Sequence, residues 1–169
     1  MKQLPERKPY RLKNYDYSQN GAYFITICTN NREKTLSHIT RRDEHCSSAN
    51  ATPSAIIQLT DVGKIVENAI REIPEHYNGV FVDNYVVMPN HIHMIIRIDR
   101  ESGRPMVVPT VSRIIQQMKG YATKQAGKPI WQSKAYDHII RDDYDYMIKF
   151  RYIDENPIKW LLKEDEYYL

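Results

Sequence analysis

Two extended apolar runs, Val80–Val87 and His91–Ile98, are separated only by Met88-Pro89-Asn90. So short a link cannot carry the chain across a sheet, so the runs must pair as neighbouring antiparallel strands. Alternate side chains of a strand point to opposite faces. Ile92, Met94, Ile96 and Ile98 therefore share one face, which is the core face. His91, His93 and Arg97 share the other, with Ile95 between them.

The rest of the chain is read around this hairpin. Ala22–Thr29 is dense in β-branched and aromatic residues, as befits a strand buried on both faces, and Asn30-Asn31-Arg32 ends it. Residues 40–54 read as a loop of small polar residues, followed by a short edge strand at Ala55–Leu59. Thr60 caps a helix whose apolar stripe is Val62, Ile65, Val66, Ala69, Ile70 and Ile73. A second helix runs from Thr110 to Ala126, with Val111, Ile114, Ile115 and Met118 on one side. Ala135–Ile140 is a strand, and a third helix starts at Asp142 or Asp143 and runs to Asn156, where Pro157 limits it. The order matches an α+β, ferredoxin-like (split βαβ) antiparallel sheet with two helices on one face, plus a C-terminal helix. At 169 residues, one domain spanning 1–169 is expected, with residues 1–20 as a basic N-terminal arm.

Charge and composition narrow the function. Ser112–Lys134 holds Arg113, Lys119, Lys124, Lys128 and Lys134 with no carboxylate, and the first thirteen residues hold five cations against Glu6. Such asymmetry points to a polyanion along one face. Thirteen tyrosines suit base stacking, and equally suit a core. No apolar run approaches the ~20 residues of a membrane helix, and the N-terminus has no secretory pattern. Two cysteines, Cys28 and Cys46, form no disulfide framework, so a cytoplasmic protein associated with the nucleoid through DNA is expected.

Chemistry concentrates in two places. His91 and His93 have Cβ atoms about 6–7 Å apart on a strand, close enough to hold one metal ion between them. Neither imidazole belongs to the core face, so replacing either is expected to cost little stability, whereas Ile92→Ala should cost ~2–5 kcal/mol. Arg97 on the same face suits a phosphate. Near the end, Tyr152 and Asn156 are i and i+4 neighbours on a helix, a hydroxyl and an amide oxygen one turn apart. Taken alone, these two are also what a core-edge aromatic and a helix terminator before proline look like.

The run Asn84-Tyr85-Val86-Val87-Met88-Pro89-Asn90-His91-Ile92-His93 resembles the signature strand of the HUH (His–hydrophobe–His) single-tyrosine transposases. Ile130-Trp131-Gln132 with Asp137-His138-Ile139-Ile140-Arg141 resembles that family too, as does Arg151-Tyr152-Ile153-Asp154-Glu155-Asn156-Pro157. Tyr23-Phe24-Ile25-Thr26 with Asn31-Arg32 extends the likeness over about residues 10–160. The nearest subgroup is the REP-associated tyrosine transposases. The resemblance implies His91 and His93 as ligands of Mg²⁺ or Mn²⁺, with Asn156 where relatives place a polar third ligand, and His138 is the rival for that role. It implies Tyr152 as the nucleophile that cuts single-stranded, hairpin-forming DNA through a 5′-phosphotyrosine, acting as monomer or homodimer. Arg97, Arg113, Lys119, Lys124, Lys128 and a base-stacking Trp131 are then the candidate DNA contacts. Two other readings stay open: a non-catalytic nucleic-acid-binding module on the same fold, and a metal-dependent nuclease that uses water.

Overall fold

Strand β1 (Gly21–Cys28) lies at the centre of a four-stranded antiparallel sheet, between β5 (His91–Ile98) and β6 (Tyr136–Ile140), with β4 (Val80–Met88) outside β5. A computed structural model describes residues 16–17, 19–41, 54–99 and 110–166. The sheet order β4-β5-β1-β6 is the split βαβ arrangement expected of the sequence. The hairpin β4–β5 turns through Pro89-Asn90, and Val87 pairs with Ile92 across it. Two additional strands, β2 (Ser37–Arg41) and β3 (Ala55–Leu59), form a separate antiparallel ribbon. Thr40 and Arg41, expected in a loop, are thus in a strand: Thr40 pairs with Ile56 and Arg41 with Ala55. The remainder of that loop, residues 42–53, lies outside the described residues, as does most of the basic arm.

The two faces of the sheet are covered differently. Ile92, Met94, Ile96 and Ile98 are fully buried against α1 (Asp61–Arg71) and α3 (Val111–Ala126), together with Tyr23, Ile25 and Ile27 of β1. A single turn, α2 (Ile73–His76), extends this layer. Thr60 caps α1 by accepting from the Gly63 N–H at 3.0 Å, and Thr110 caps α3 by accepting from the Arg113 N–H at 3.3 Å. Gly127, with φ +65°, closes α3 in the left-handed conformation that favours glycine. Tyr17, placed by sequence in the arm, is buried in this core and accepts a hydrogen bond from the Val111 N–H. The arm therefore ends before the chain reaches β1.

The opposite face is covered by α4 (Asp143–Glu166). Phe24, Val86, Met88 and Ile95 point to this side and pack with Ile153 of α4, while Ile39 and Ile57 of the ribbon border the same cluster. Pro157 was expected to limit this helix, yet α4 runs through it. Proline in a helix interior costs ~3 kcal/mol through its missing N–H and its clash with the preceding turn. Here Ile153, Asn156 and Pro157 are all buried, and that packing holds the helix together. Asn156 is correspondingly helical despite preceding a proline.

One close approach locks the ribbon side to α1. A Cβ on Gly63 would stand 1.9 Å from the Leu36 carbonyl oxygen. That carbonyl accepts from the Thr60 N–H, and the Leu36 N–H donates to Pro89 O in the β4–β5 turn. Gly63→Ala is expected to destabilise the fold by ~3 kcal/mol, at the upper end of overpacking effects. That should lower the melting temperature by about 6–12 °C. A melting temperature unchanged by the added methyl would mean the helix start shifts freely.

Candidate active site

β5 and α4 build the site between them. His91 and His93 project from the β5 face that α4 covers, and their rings meet edge to face with centroids 4.6 Å apart. The Tyr152 ring on α4 lies 5.2 Å from the His93 ring. One turn later the buried Asn156 side chain comes close enough to His91 to act on its titration. The i, i+4 spacing read from sequence therefore delivers a hydroxyl and a carboxamide to two neighbouring imidazoles. Phe24 of β1 floors the group, stacked on His93 at 5.2 Å and edge-on to Tyr152 at 5.8 Å.

Each imidazole is oriented by a second contact. Thr26 sits opposite His93 across the β1–β5 ladder, and its Oγ1 is 2.9 Å from His93 Nδ1. His93 Nε2 is then left buried with no hydrogen-bond partner. His91 Nδ1 lies 2.7 Å from Asn90 Oδ1. Burial pushes the His91 imidazole down to about 4, with the nearby Arg32 guanidinium adding to the shift. Burial, then the charge of His91, pushes His93 down to about 3. Both rings are therefore neutral near pH 7, with lone pairs free to bind a cation. A buried, partnerless imidazole nitrogen beside a second imidazole and a carboxamide is the donor set that fits a divalent ion. Among the described residues no group of three or more His, Cys, Asp or Glu comes together, and the polar group beside the two imidazoles is the carboxamide of Asn156. His138, the rival, is instead bound through Nε2 to Asp145 at 2.7 Å.

The helix that carries Tyr152 is fastened at both sheet edges. A β-bulge between Val82 and Asn84 turns out Asp83, which accepts from the Tyr146 hydroxyl at 3.0 Å. Asn84 donates to Asp154 at 2.9 Å. On the other edge, the His138–Asp145 pair ties β6 to the first turn of α4. These contacts bracket Tyr152 on both sides along the helix.

The stability expectation for the two histidines divides. His91 is partly exposed, but His93 is only 5% exposed, wedged between Phe24 and Tyr152. The face opposite the main core is itself a second core, so His93→Ala removes packing as well as a donor.

The basic candidates lie elsewhere. Arg97 is on the histidine face, beyond Ile95, held by Asp83 at 3.0 Å and Asp99 at 3.3 Å and stacked on Phe81. Arg113, Lys119, Lys124 and Lys128 belong to α3 and its end, in the layer on the far side of the sheet from the histidines. Trp131 pairs with Thr29 in an isolated bridge and is partly buried against the main core. Lys119 donates from Nζ to Gln132 O at 2.7 Å and Ser133 O at 3.1 Å, and burial lowers its pKa. It holds in place the segment that walls the cleft beside Tyr152. Sequence reading missed Thr26, Phe24, Arg32 and Lys149, which share this cleft of about 570 Å³ with His93 and Tyr152. Alternation within β1 puts Phe24 and Thr26 on one face, but only the β1–β5 pairing says which strand they meet. Lys119→Met keeps the stem and removes the donors, so backbone amides of residues 132–135 should exchange with solvent faster while those of β5 do not. Equal exchange in wild type and variant would free Lys119 for another role.

No protein-family model matches the chain. An uncharacterized protein of Haemophilus influenzae is 32% identical over 186 residues, covering 98% of this chain and 95% of that protein. A second protein of that organism, assigned by name to the REP-associated tyrosine transposases, is 26% identical over 159 residues, covering 88% of this chain and 77% of its own length. The solved structure of a REP-associated tyrosine transposase bound to a REP hairpin has the same fold, with TM-score 0.59 and 23% identity over 92% of this chain and 74% of that one. His91, His93, Tyr152 and Asn156 come together between β5 and α4, and the chain resembles the REP-associated tyrosine transposases over most of its length in sequence and in fold.

Proposed function

We propose that this protein cuts and rejoins single-stranded, hairpin-forming DNA, with Tyr152 as the nucleophile. The observation that carries this reading is the Tyr152 ring packed 5.2 Å from His93 while 40% exposed on the cleft. A tyrosine kept only for packing has no need of a position beside two neutral imidazoles with an unused nitrogen. In the forward step the Tyr152 oxygen bonds to phosphorus as the bond from phosphorus to the 3′-oxygen breaks. The phenolic proton is lost to solvent, and the released 3′-oxygen takes up a proton. The product is a 5′-phosphotyrosine with a free 3′-hydroxyl, and attack by such a hydroxyl reverses the step. Because one ester replaces another, no nucleotide energy source is required.

His91, His93 and Asn156 would hold Mg²⁺ or Mn²⁺, which supplies charge neutralisation and orientation at the scissile phosphate when bound. The protein's own contribution is positional. Thr26 and Asn90 fix the two rings, and the clasped helix sets the phenol beside them. A free phenol, with pKa near ~10, is a poor nucleophile at neutral pH, so placement is what this site offers it.

The test uses end-labelled, heat-denatured genomic fragments and denaturing gels. Wild type should give a labelled band at protein size, and Tyr152→Phe should abolish it while leaving DNA binding within a few-fold. Free nicks without an adduct would indicate hydrolysis by water, and neither product would leave a binding module. An adduct that survives in Tyr152→Phe moves the nucleophile to Tyr121, Tyr144 or Tyr146.

The metal is tested separately by titrating Mn²⁺. Thr26→Val preserves shape and removes the bond to His93, and should weaken Mn²⁺ binding about 10–100-fold. His91→Ala should remove binding with little change in melting temperature. Unaltered Mn²⁺ affinity in both variants would place the ion elsewhere.

A further inference from the structure

The cleft beside Tyr152 is lined by cations alone among its charged side chains. Its walls include Arg32, Lys134 and Lys149, and no carboxylate. The chain as a whole has 21 acidic residues against 24 basic ones, so an acid-free cleft is a local departure. Lys149 lies one turn before Tyr152 on α4, and its Nζ is 5.5 Å from the centre of the Phe24 ring. That same ring touches both His93 and Tyr152, so the ammonium stands one side chain away from the nucleophile. Asp145, the carboxylate one turn earlier, is hydrogen-bonded to His138 at 2.7 Å and feels the Lys149 charge only from beyond ion-pairing distance. Among the described residues no carboxylate lies within ion-pairing distance of Lys149.

Arg32 faces the cleft from the opposite side. It follows β1 in a turn where Asn31 and Arg32 both have positive φ, at 51° and 55°. Two successive non-glycine residues in that region cost of order 1–3 kcal/mol each, and persist only where the surroundings enforce them. The turn is enforced by Thr29, whose hydroxyl donates to Glu33 O at 2.8 Å and whose carbonyl accepts from the Arg32 N–H. Its outcome is a guanidinium on the cleft wall, with no ion-pair partner among the described residues.

We propose that Arg32 and Lys149 bind backbone phosphates of the single strand that crosses Tyr152, so that the strand runs through this cleft rather than over α3. The inference deepens the strand-transfer reading and rests on it for the identity of the polyanion. Neither cation is in a close ion pair among the described residues, so no protein carboxylate must be displaced before a phosphate binds. The cations of α3 are on the other side of the sheet, and Lys119 among them is spent on the Gln132 and Ser133 carbonyls.

The experiment measures anisotropy of a fluorescein-labelled (dT)20 oligonucleotide in the Tyr152→Phe background, where chemistry cannot intrude. Affinity is followed between about 50 and 200 mM salt. Lys149→Gln and Arg32→Gln should each lower the log–log salt slope by ~0.7, and the double variant by ~1.4. Lys149→Arg should restore the slope, and Lys124→Gln on α3 should leave it as it was. A double variant with an unchanged slope, or a Lys124→Gln loss as large as that of Lys149→Gln, overturns the proposal. If the slopes behave as stated but wild type forms no covalent adduct, the phosphate contacts stand and the strand-transfer reading falls.

Discussion

Strand β5 is buried on both sides, and everything that matters in this molecule follows from covering it twice. Ile92, Met94, Ile96 and Ile98 need the α1–α3 layer. Ile95, fully buried on the other face among Phe24, Val86 and Met88, needs a second cover, and α4 provides it through Ile153. Burying these side chains gains ~1.5–3 kcal/mol apiece, enough to carry a helix through an internal proline. Since Tyr152 adjoins Ile153, the packing that hides Ile95 also brings the phenol to His93. The chemistry is thus anchored by an apolar contact made for reasons of burial.

The alternation of β5 is local information, so the core face and the histidine face are both legible in the sequence. So is the helix capped by Thr60, because the cap stands directly before an amphipathic stripe. The extent of α4 is not legible, because Pro157 argues against a helix and only the buried surroundings of Ile153 and Asn156 overrule it. Strand β2 escapes for a similar reason, although its partner Ala55–Leu59 is legible: five residues with one strongly apolar member, Ile39, show little periodicity until that pairing is known.

Basic residues show most clearly where sequence reading stops. A carboxylate-free run on α3 suggests a DNA face, but a cation's role depends on what stands opposite, which is tertiary information. Lys119 turns inward to two carbonyls and Arg97 is neutralised by two aspartates, whereas Lys149, in an acidic neighbourhood of sequence, makes no close ion pair and lies over the Phe24 ring. Neighbours in sequence misled in both directions.

Carrying Tyr152 and Asn156 on one helix has a mechanical consequence. Tyr152 and Asn156 move as one lever, so the site has no half-assembled form in which the phenol is docked and the amide is not. A slip of α4 by one turn, about 5.4 Å, would put Asn156 or Ile148 where the phenol belongs. The clasps at Asp83, Asn84 and His138 are therefore best understood as a register key: they admit one axial position of the helix and make every other position inert.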